Sequence, residues 1–285
     1  MPEAIAPLTW PVVGAVLFGA LLHASWNALV KGSRDKDMDM AVIHLIGSLL
    51  AMPLVLVVGL PPPSAWPYIA ASVFIHIGYY IALTGAYRHG DLGLTYPLMR
   101  GVAPLLVALT ATLTVGETLS PMAWAGVLGI CCGVLVLGLH SHALRVPKAI
   151  GFALANAVII ALYTIVDAVG ARASGHVLQY VALLFVFDGW PFALLVFHRR
   201  RSAMWHYARA RWPVATVGAI ASLGSYAIAL WAMTRAPVAT VSALRETSVL
   251  FAALLGSWFL KEAFTLRRLI GVCTIVAGVM ALRLS

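Results

Sequence analysis

Four charged side chains stand inside otherwise apolar stretches, Arg100, Asp188, Arg245 and Glu246, and a fifth, Asp167, lies nearer the end of its stretch. A charge deep in hydrocarbon costs at least about 2.5 to 3.5 kcal/mol on insertion scales, so such groups face a bundle interior or a water-filled path. The chemistry they offer is recognition. A guanidinium holds a carboxylate through two parallel hydrogen bonds, a carboxylate pairs with an ammonium or carries a proton, and tyrosine and tryptophan rings present cation-π faces. Aromatic and polar residues accompany these charges at helical spacing. His76, Tyr79, Tyr80 and Thr84 follow an i, i+3, i+4, i+8 pattern, Ser222, Ser225 and Tyr226 make a shorter face of the same kind, and Tyr96 stands one turn before Arg100. Trp26 and Asn27 with His23, and Tyr163 with Asn156, Thr164 and Asp167, form two more faces. Adjacent Arg245 and Glu246 project about 100° apart on a helix, so they do not neutralise each other squarely, and one of them is free to serve a ligand or another helix. The same groups also have a structural reading, as interhelical hydrogen bonds worth about 0.6 to 2 kcal/mol each. For Arg100 and Arg245 that reading is a repeated pair, each locking its helix to a carbonyl or carboxylate.

Other chemistries find no support. The metalloprotease His-Glu-x-x-His, the Gly-x-Ser-x-Gly elbow and the Gly-x-x-x-x-Gly-Lys-Ser/Thr phosphate loop are all absent, which argues against an enzyme and against direct ATP hydrolysis. Cys131, Cys132 and Cys273 lie in apolar runs without zinc spacing or a disulfide framework and are expected to be small core residues. Neither a metal nor a cofactor is expected.

The elements that position these residues are membrane helices. Of the 285 residues, 62% are hydrophobic and 10% charged, and the mean hydropathy is +0.94, whereas a soluble domain carries roughly 25% charged residues. Apolar runs bounded by Pro, Gly and charge predict ten spans: 11–31, 40–60, 67–87, 94–115, 121–139, 149–170, 177–198, 213–234, 237–260 and 266–282. A net charge of +9 raises the question of nucleic acid, but the basic residues lie in loops, where they orient a membrane protein, and no nucleic acid partner is expected. Fourteen of the 19 Lys and Arg fall in the loops after the first, third, fifth, seventh and ninth spans or at the span ends that border them, and only three in the other loops and the termini. The loop from Arg199 to Arg211 is therefore expected to be cytoplasmic, with both termini on the outer face. The start of the chain lacks the cationic region of a signal peptide, so its first span is expected to be retained.

The spans repeat. A shift of 145 aligns Thr95 with Thr240, Arg100 with Arg245, Glu117 with Glu262, Gly126 with Gly271 and Gly133 with Gly278. A shift of 146 places Tyr80 on Tyr226, and one of 137 places Trp26 on Tyr163. Five spans per copy is an odd number, so residues 147–285 must enter the membrane from the side opposite to residues 1–146. Inverted repeats are a recurrent architecture of secondary transporters, with the substrate near the midplane at the repeat interface.

With this duplicated five-span unit, the acidic residue after the fourth and ninth spans (Val115-Gly-Glu117-Thr-Leu and Leu260-Lys-Glu262-Ala-Phe) and the glycine-spaced fifth and tenth spans (Gly126, Gly129, Gly133; Gly271, Gly278), the chain resembles the drug/metabolite transporter superfamily, in particular proteins of two EamA-type repeats. Within it, the amino-acid exporters of YddG type are the most similar. The resemblance covers nearly the whole chain and implies an all-α integral membrane protein, ten helices in two inverted five-helix repeats. It places the first, third, fourth, sixth, eighth and ninth around a central cavity. The expected function is export of amino acids and similar small zwitterions across a bacterial-type inner membrane by alternating access. Substrate binding is expected from Trp26, Asn27, His76, Tyr79, Tyr80, Tyr96, Arg100, Tyr163, Ser222, Tyr226, Arg245 and Glu246. An arginine takes the carboxylate, the aromatics form walls, and Glu246 takes the ammonium or a coupling proton. Fold membership does not choose the substrate, and export of drugs or other organic metabolites, or carriage of nucleotide sugars or sugar phosphates, is the competing expectation. Tyr96-Pro-Leu-Met-Arg100-Gly-Val-Ala-Pro104 predicts an interrupted fourth helix. Gly129 and Gly133 predict close packing, either against the tenth helix or in a weak homodimer of an otherwise monomeric protein.

Overall fold

A chain with no water to satisfy its backbone must bond internally, and helices do so within one segment. The computed structural model describes residues 8–90, 92–138, 146–260 and 265–285. They form α1 (Trp10–Lys31), α2 (Lys36–Val58), α3 (Trp66–His89), α4 (Leu92–Thr114), α5 (Pro121–Gly138), α6 (Pro147–Ser174), α7 (Val177–Arg200), α8 (Ser202–Met233), α9 (Val238–Arg245), α10 (Thr247–Leu260) and α11 (Leu266–Leu284), with no strand among the described residues. Local chemistry sets several boundaries. Proline occupies the first turn of α1, α3 and α6, where its missing N–H costs nothing. Asp35 caps α2 by accepting from the Met38 amide at 3.2 Å, and Gly175, at φ 66°, ends α6 in the left-handed region that glycine adopts freely.

Eight helices are long and apolar enough to cross a membrane, α1 to α8. They make the chain a multi-pass membrane protein whose outer face is apolar, with Leu56, Phe74 and Leu113 strongly exposed as only lipid permits. The count of ten spans departs from this at its end. The ninth span is divided at Glu246 into α9 and α10, each too short to cross alone, and α11 carries Arg267, Arg268 and Arg283.

The interruption expected in the fourth span is found instead in the ninth. Despite Pro97 and Pro104, α4 runs unbroken; Pro97 lies in its second turn and is seated on Gly138 of α5. At Glu246 the backbone tightens. Its amide bonds the Ala243 carbonyl at 3.0 Å, the Val249 amide bonds the Glu246 carbonyl at 2.9 Å, and the Thr247 hydroxyl takes the Leu244 carbonyl at 2.7 Å. Three-residue bonds and a competing hydroxyl end one helix and start the next. A further difference is α8, which begins at Ser202 rather than 213, one residue after α7, and absorbs the arginine-rich loop into its first turns.

Equivalent helices of the two halves pack against each other. Glycines place α5 beside α11 so closely that a Cβ at Gly126 would lie 2.9 Å from the Gly278 carbonyl, and one at Gly133 would lie 2.9 Å from that of Gly271. The numbers rise along one helix and fall along the other, so the pair is antiparallel. α2 and α7 are antiparallel too: Ser48 donates to the Phe185 carbonyl at 2.6 Å, and Gln179 to the Val58 carbonyl at 2.7 Å. Each half also lends its first helix to the other's third, α1 against α8 and α3 against α6. The cysteine expectation holds in part: Cys131 is buried, whereas Cys132 and Cys273 are exposed on the outer surface.

Candidate functional site: a charged aromatic cavity

The faces that the helical spacing predicted converge. Trp26 and Asn27 of α1, His76, Tyr79 and Tyr80 of α3, Tyr96 and Arg100 of α4, Tyr163 of α6, Ser222 and Tyr226 of α8 and Arg245 of α9 all line one cavity of about 120 Å³. Convergence follows from the contacts just described, because α3 and α6 from different halves turn their polar faces to the same space as α1 and α8. The rings form a continuous wall. His76 stacks on Tyr163 at 4.5 Å between centroids, Tyr79 meets Tyr163 edge-on at 6.1 Å, and Tyr80 stacks on Phe192 at 4.9 Å. On α1, Trp26 donates to His23 Nδ1 at 3.4 Å, and Asn27 donates to the His23 carbonyl at 2.7 Å.

Glu246 is placed elsewhere. It lies behind the lining, 3% exposed, and its Oε2 is 2.8 Å from Nε of Arg100, itself 8% exposed. The two atoms are close without a well-aligned hydrogen bond, so the contact is an ion pair held by burial. Arg100 is thereby neutralised across the α4–α9 junction. Arg245, its equivalent in the second half, is not: among the described residues no carboxylate lies within ion-pair distance of it. Its guanidinium instead sits 5.6 Å above the ring of Tyr226, a cation-π contact that leaves its hydrogen-bond fork available.

Two helices outside the expected six also contribute. α2 brings Met40 and His44, and α7 brings Leu184, Phe185 and Asp188. Asp188 lies 3.5 Å from the Tyr80 hydroxyl and 3.9 Å from His76 Nδ1. His44 has only Ser48 at helical spacing and Asp188 has no polar residue three or four positions away, so no repeated face marked them, although the depth of Asp188 did. His23, Asn156 and Ser225 of the predicted faces, with Leu83, Tyr87, Met99 and Ile160, complete the lining, and the apolar three carry no signal at all.

Both ends of the bundle are tied across the halves. At one end Asp39 of α2 accepts from Arg211 Nη2 at 2.8 Å, from Arg211 Nε at 3.1 Å and from Tyr207 at 2.8 Å. At the other, Glu117 accepts from Arg172 at 3.0 Å and from the Val238 amide at 3.0 Å, capping α9, while Arg172 Nη2 also reaches the Met233 carbonyl at 2.7 Å. Deeper on that side, buried Asp167 accepts hydrogen bonds from Tyr180 and Tyr226. Glu262, the equivalent of Glu117, lies outside the described residues. No group of His, Cys, Asp and Glu that could hold a metal ion occurs among the described residues.

Residues 147–284 match the EamA-like transporter family. No curated protein matches the chain. Twenty-nine chains of solved structures do; one of them, titled only as the crystal structure of a protein, aligns over 94% of this chain and 97% of its own with a TM-score of 0.73 at 23% sequence identity. That likeness is one of fold.

Proposed function

We propose that the whole chain, and not only its matched second half, is an EamA-type carrier of the drug/metabolite transporter superfamily. It moves small carboxylate-bearing metabolites, amino acids first among them, by alternating access. The single observation that carries this reading is the state of the two equivalent arginines. Arg100 is spent on Glu246, whereas Arg245 faces an aromatic cavity with its fork free, the arrangement that binds a carboxylate through two hydrogen bonds. Tyr79, Tyr163 and Tyr226 supply the walls, and Trp26, Asn27, His76, Tyr80, Tyr96 and Ser222 complete the surface around the solute. Glu246 and Arg100 are positioning residues that fix the wall from which Arg245 projects.

The architecture proposed is two inverted five-helix repeats, 1–146 and 147–285. Antiparallel packing of α5 with α11 and of α2 with α7 supports it, as does the exchange of α1 and α3 between halves. A site at the interface of such repeats is served by rocking one half against the other. The arginine distribution supports an orientation with the Asp39 end cytoplasmic and both termini outside, in a bacterial-type inner membrane. The glycine stripe of α5 is occupied by α11 within the chain, which favours a monomer over a weak homodimer built on that face. Net export follows when the solute is more concentrated inside. A cavity of about 120 Å³ is below the roughly 300 to 1,000 Å³ that drug-sized ligands occupy, which favours small metabolites over drugs and nucleotide sugars.

Counterflow in proteoliposomes tests the reading: liposomes loaded with unlabelled amino acid take up a trace of labelled threonine, methionine or phenylalanine. Saturable uptake that requires internal amino acid is expected, with Arg245→Ala at least tenfold slower and still folded. Uptake that is linear in concentration and independent of the internal pool would make the protein a channel. Silence across the amino-acid panel, or full activity of Arg245→Ala, would sink the carboxylate assignment.

A further inference from the structure

Asp188 stands midway along α7, as far from water along the helix as its position allows. Its Oδ1 is buried and has no hydrogen-bond donor among the described residues. Its Oδ2 has only the Tyr80 hydroxyl, at 3.5 Å. The nearest group able to carry positive charge is His76, with Nδ1 3.9 Å away. That nitrogen is closer to Ser72, 2.8 Å from its carbonyl and 3.2 Å from its hydroxyl, than to Asp188. The other groups facing Asp188 bring no lysine or arginine. From α2 comes His44, whose Nδ1 is 3.5 Å from the Tyr80 hydroxyl; from α6 comes Tyr163, stacked on His76. No lysine or arginine among the described residues lies within ion-pair distance. A carboxyl group at membrane depth with no lysine or arginine partner is costly and faces a water-filled path or a ligand.

The cavity thus has two poles. Among the described residues Arg245 has no carboxylate within ion-pair distance, Asp188 has no lysine or arginine, and both open onto the same space. We infer that Asp188 is the binding site for the ammonium of the solute. The carrier then requires a protonated amine as well as a carboxylate and rejects acids that lack the amine. This inference rests on the carrier function proposed above. The stacked rings of His76 and Tyr163 line the same cavity, and the Tyr80 hydroxyl, 3.5 Å from Asp188 Oδ2, borders the ammonium position.

Competition for counterflow measures the requirement. Labelled phenylalanine is exchanged in the presence of unlabelled phenylalanine, 3-phenylpropionate or N-acetylphenylalanine; threonine against 3-hydroxybutyrate repeats the comparison with a smaller solute. In the unaltered protein the amine-free and acetylated acids should compete at least tenfold more weakly than the amino acid. In Asp188→Asn, nearly the same size, the amino acid should weaken toward the amine-free acid while the latter is unchanged, closing the gap to within about threefold. A merely structural role would weaken both alike. Asp188→Glu should preserve the gap at lower affinity, and its thermal melting in detergent shows whether the site tolerates change. The inference is overturned if the unaltered protein does not distinguish phenylalanine from 3-phenylpropionate. It is overturned equally if the gap survives in folded Asp188→Asn, including the case in which that variant loses only its response to a pH gradient, which would make Asp188 a proton carrier. Robust exchange without discrimination removes this inference alone, whereas absence of exchange with every carboxylate removes the carrier reading as well.

Discussion

Arg100 and Arg245 are matched by the 145-residue shift, yet their surroundings assign them opposite duties. Removing one partner of a buried ion pair costs about 3 to 5 kcal/mol, because it strands the other charge, whereas replacing both by apolar groups of like size is close to neutral. Glu246→Gln should therefore lower the melting temperature in detergent markedly, and the double change Arg100→Met with Glu246→Met should recover most of the loss. Arg245→Ala should melt almost as the unaltered protein does and fail in exchange. Equal destabilisation by Arg245→Ala and Glu246→Gln would contradict the division of labour. The faces bearing Tyr79, Tyr80 and Tyr226 were legible in the sequence because helical spacing alone puts their members side by side. The partner of Arg100 was not, since nothing local to residue 100 tells that it meets residue 246. Adjacency of Arg245 and Glu246 implied divergent directions, and divergence is what separates the cavity-facing charge from the one paired behind the lining.

At the scale of elements, the α5–α11 seam is where side-chain volume matters most. Backbones approach within the reach of a single Cβ at Gly126, Gly133, Gly271 and Gly278, and in lipid such packing, not hydrophobic exclusion, drives helix association. Gly133→Leu should cost about 1 to 3 kcal/mol through overpacking, read as a lower melting temperature. Gly151→Ala on α6, where a Cβ would meet nothing within 4 Å, should be neutral or stabilise by up to about 1 kcal/mol through helix propensity. A destabilised Gly151→Ala beside a tolerated Gly133→Leu would refute the seam. The glycine spacing in α5 and α11 announced close contact from the sequence; whether the contact lay within one chain or between two did not follow from it. Helix interruption was misread for a related reason. Pro97 and Pro104 remove backbone donors, but Gly138 accommodates Pro97 and α4 continues, while at Glu246 three-residue backbone bonds and the Thr247 hydroxyl end α9, where Glu246 meets Arg100.

For the whole molecule, the membrane class was plain from composition and periodicity, because it is a sum over many residues. The closure of the bundle was not, since it depends on a few side chains far apart in sequence, Asp39 with Arg211 and Glu117 with Arg172. These two ties attach to α8 near Arg211 and at Met233, 22 residues apart, or about 33 Å at 1.5 Å per residue, roughly the thickness of the hydrocarbon core. Each joins elements of different halves, so the rocking proposed above would break one while the other holds. Weakening either should then move the conformational balance in opposite directions, by as much as the tie contributes differentially to the two states. In a cysteine-free background carrying Ser222→Cys in the cavity, Asp39→Asn should raise labelling by a membrane-impermeant maleimide several-fold from the Asp39 side and lower it from the other. Glu117→Gln should do the reverse, despite keeping an oxygen to cap α9, because it loses the charge that holds Arg172. If both substitutions favour the same side, or neither changes access while Arg245→Ala still abolishes exchange, the two ties are structural braces, and the motion that exposes the cavity must pivot on contacts within one half.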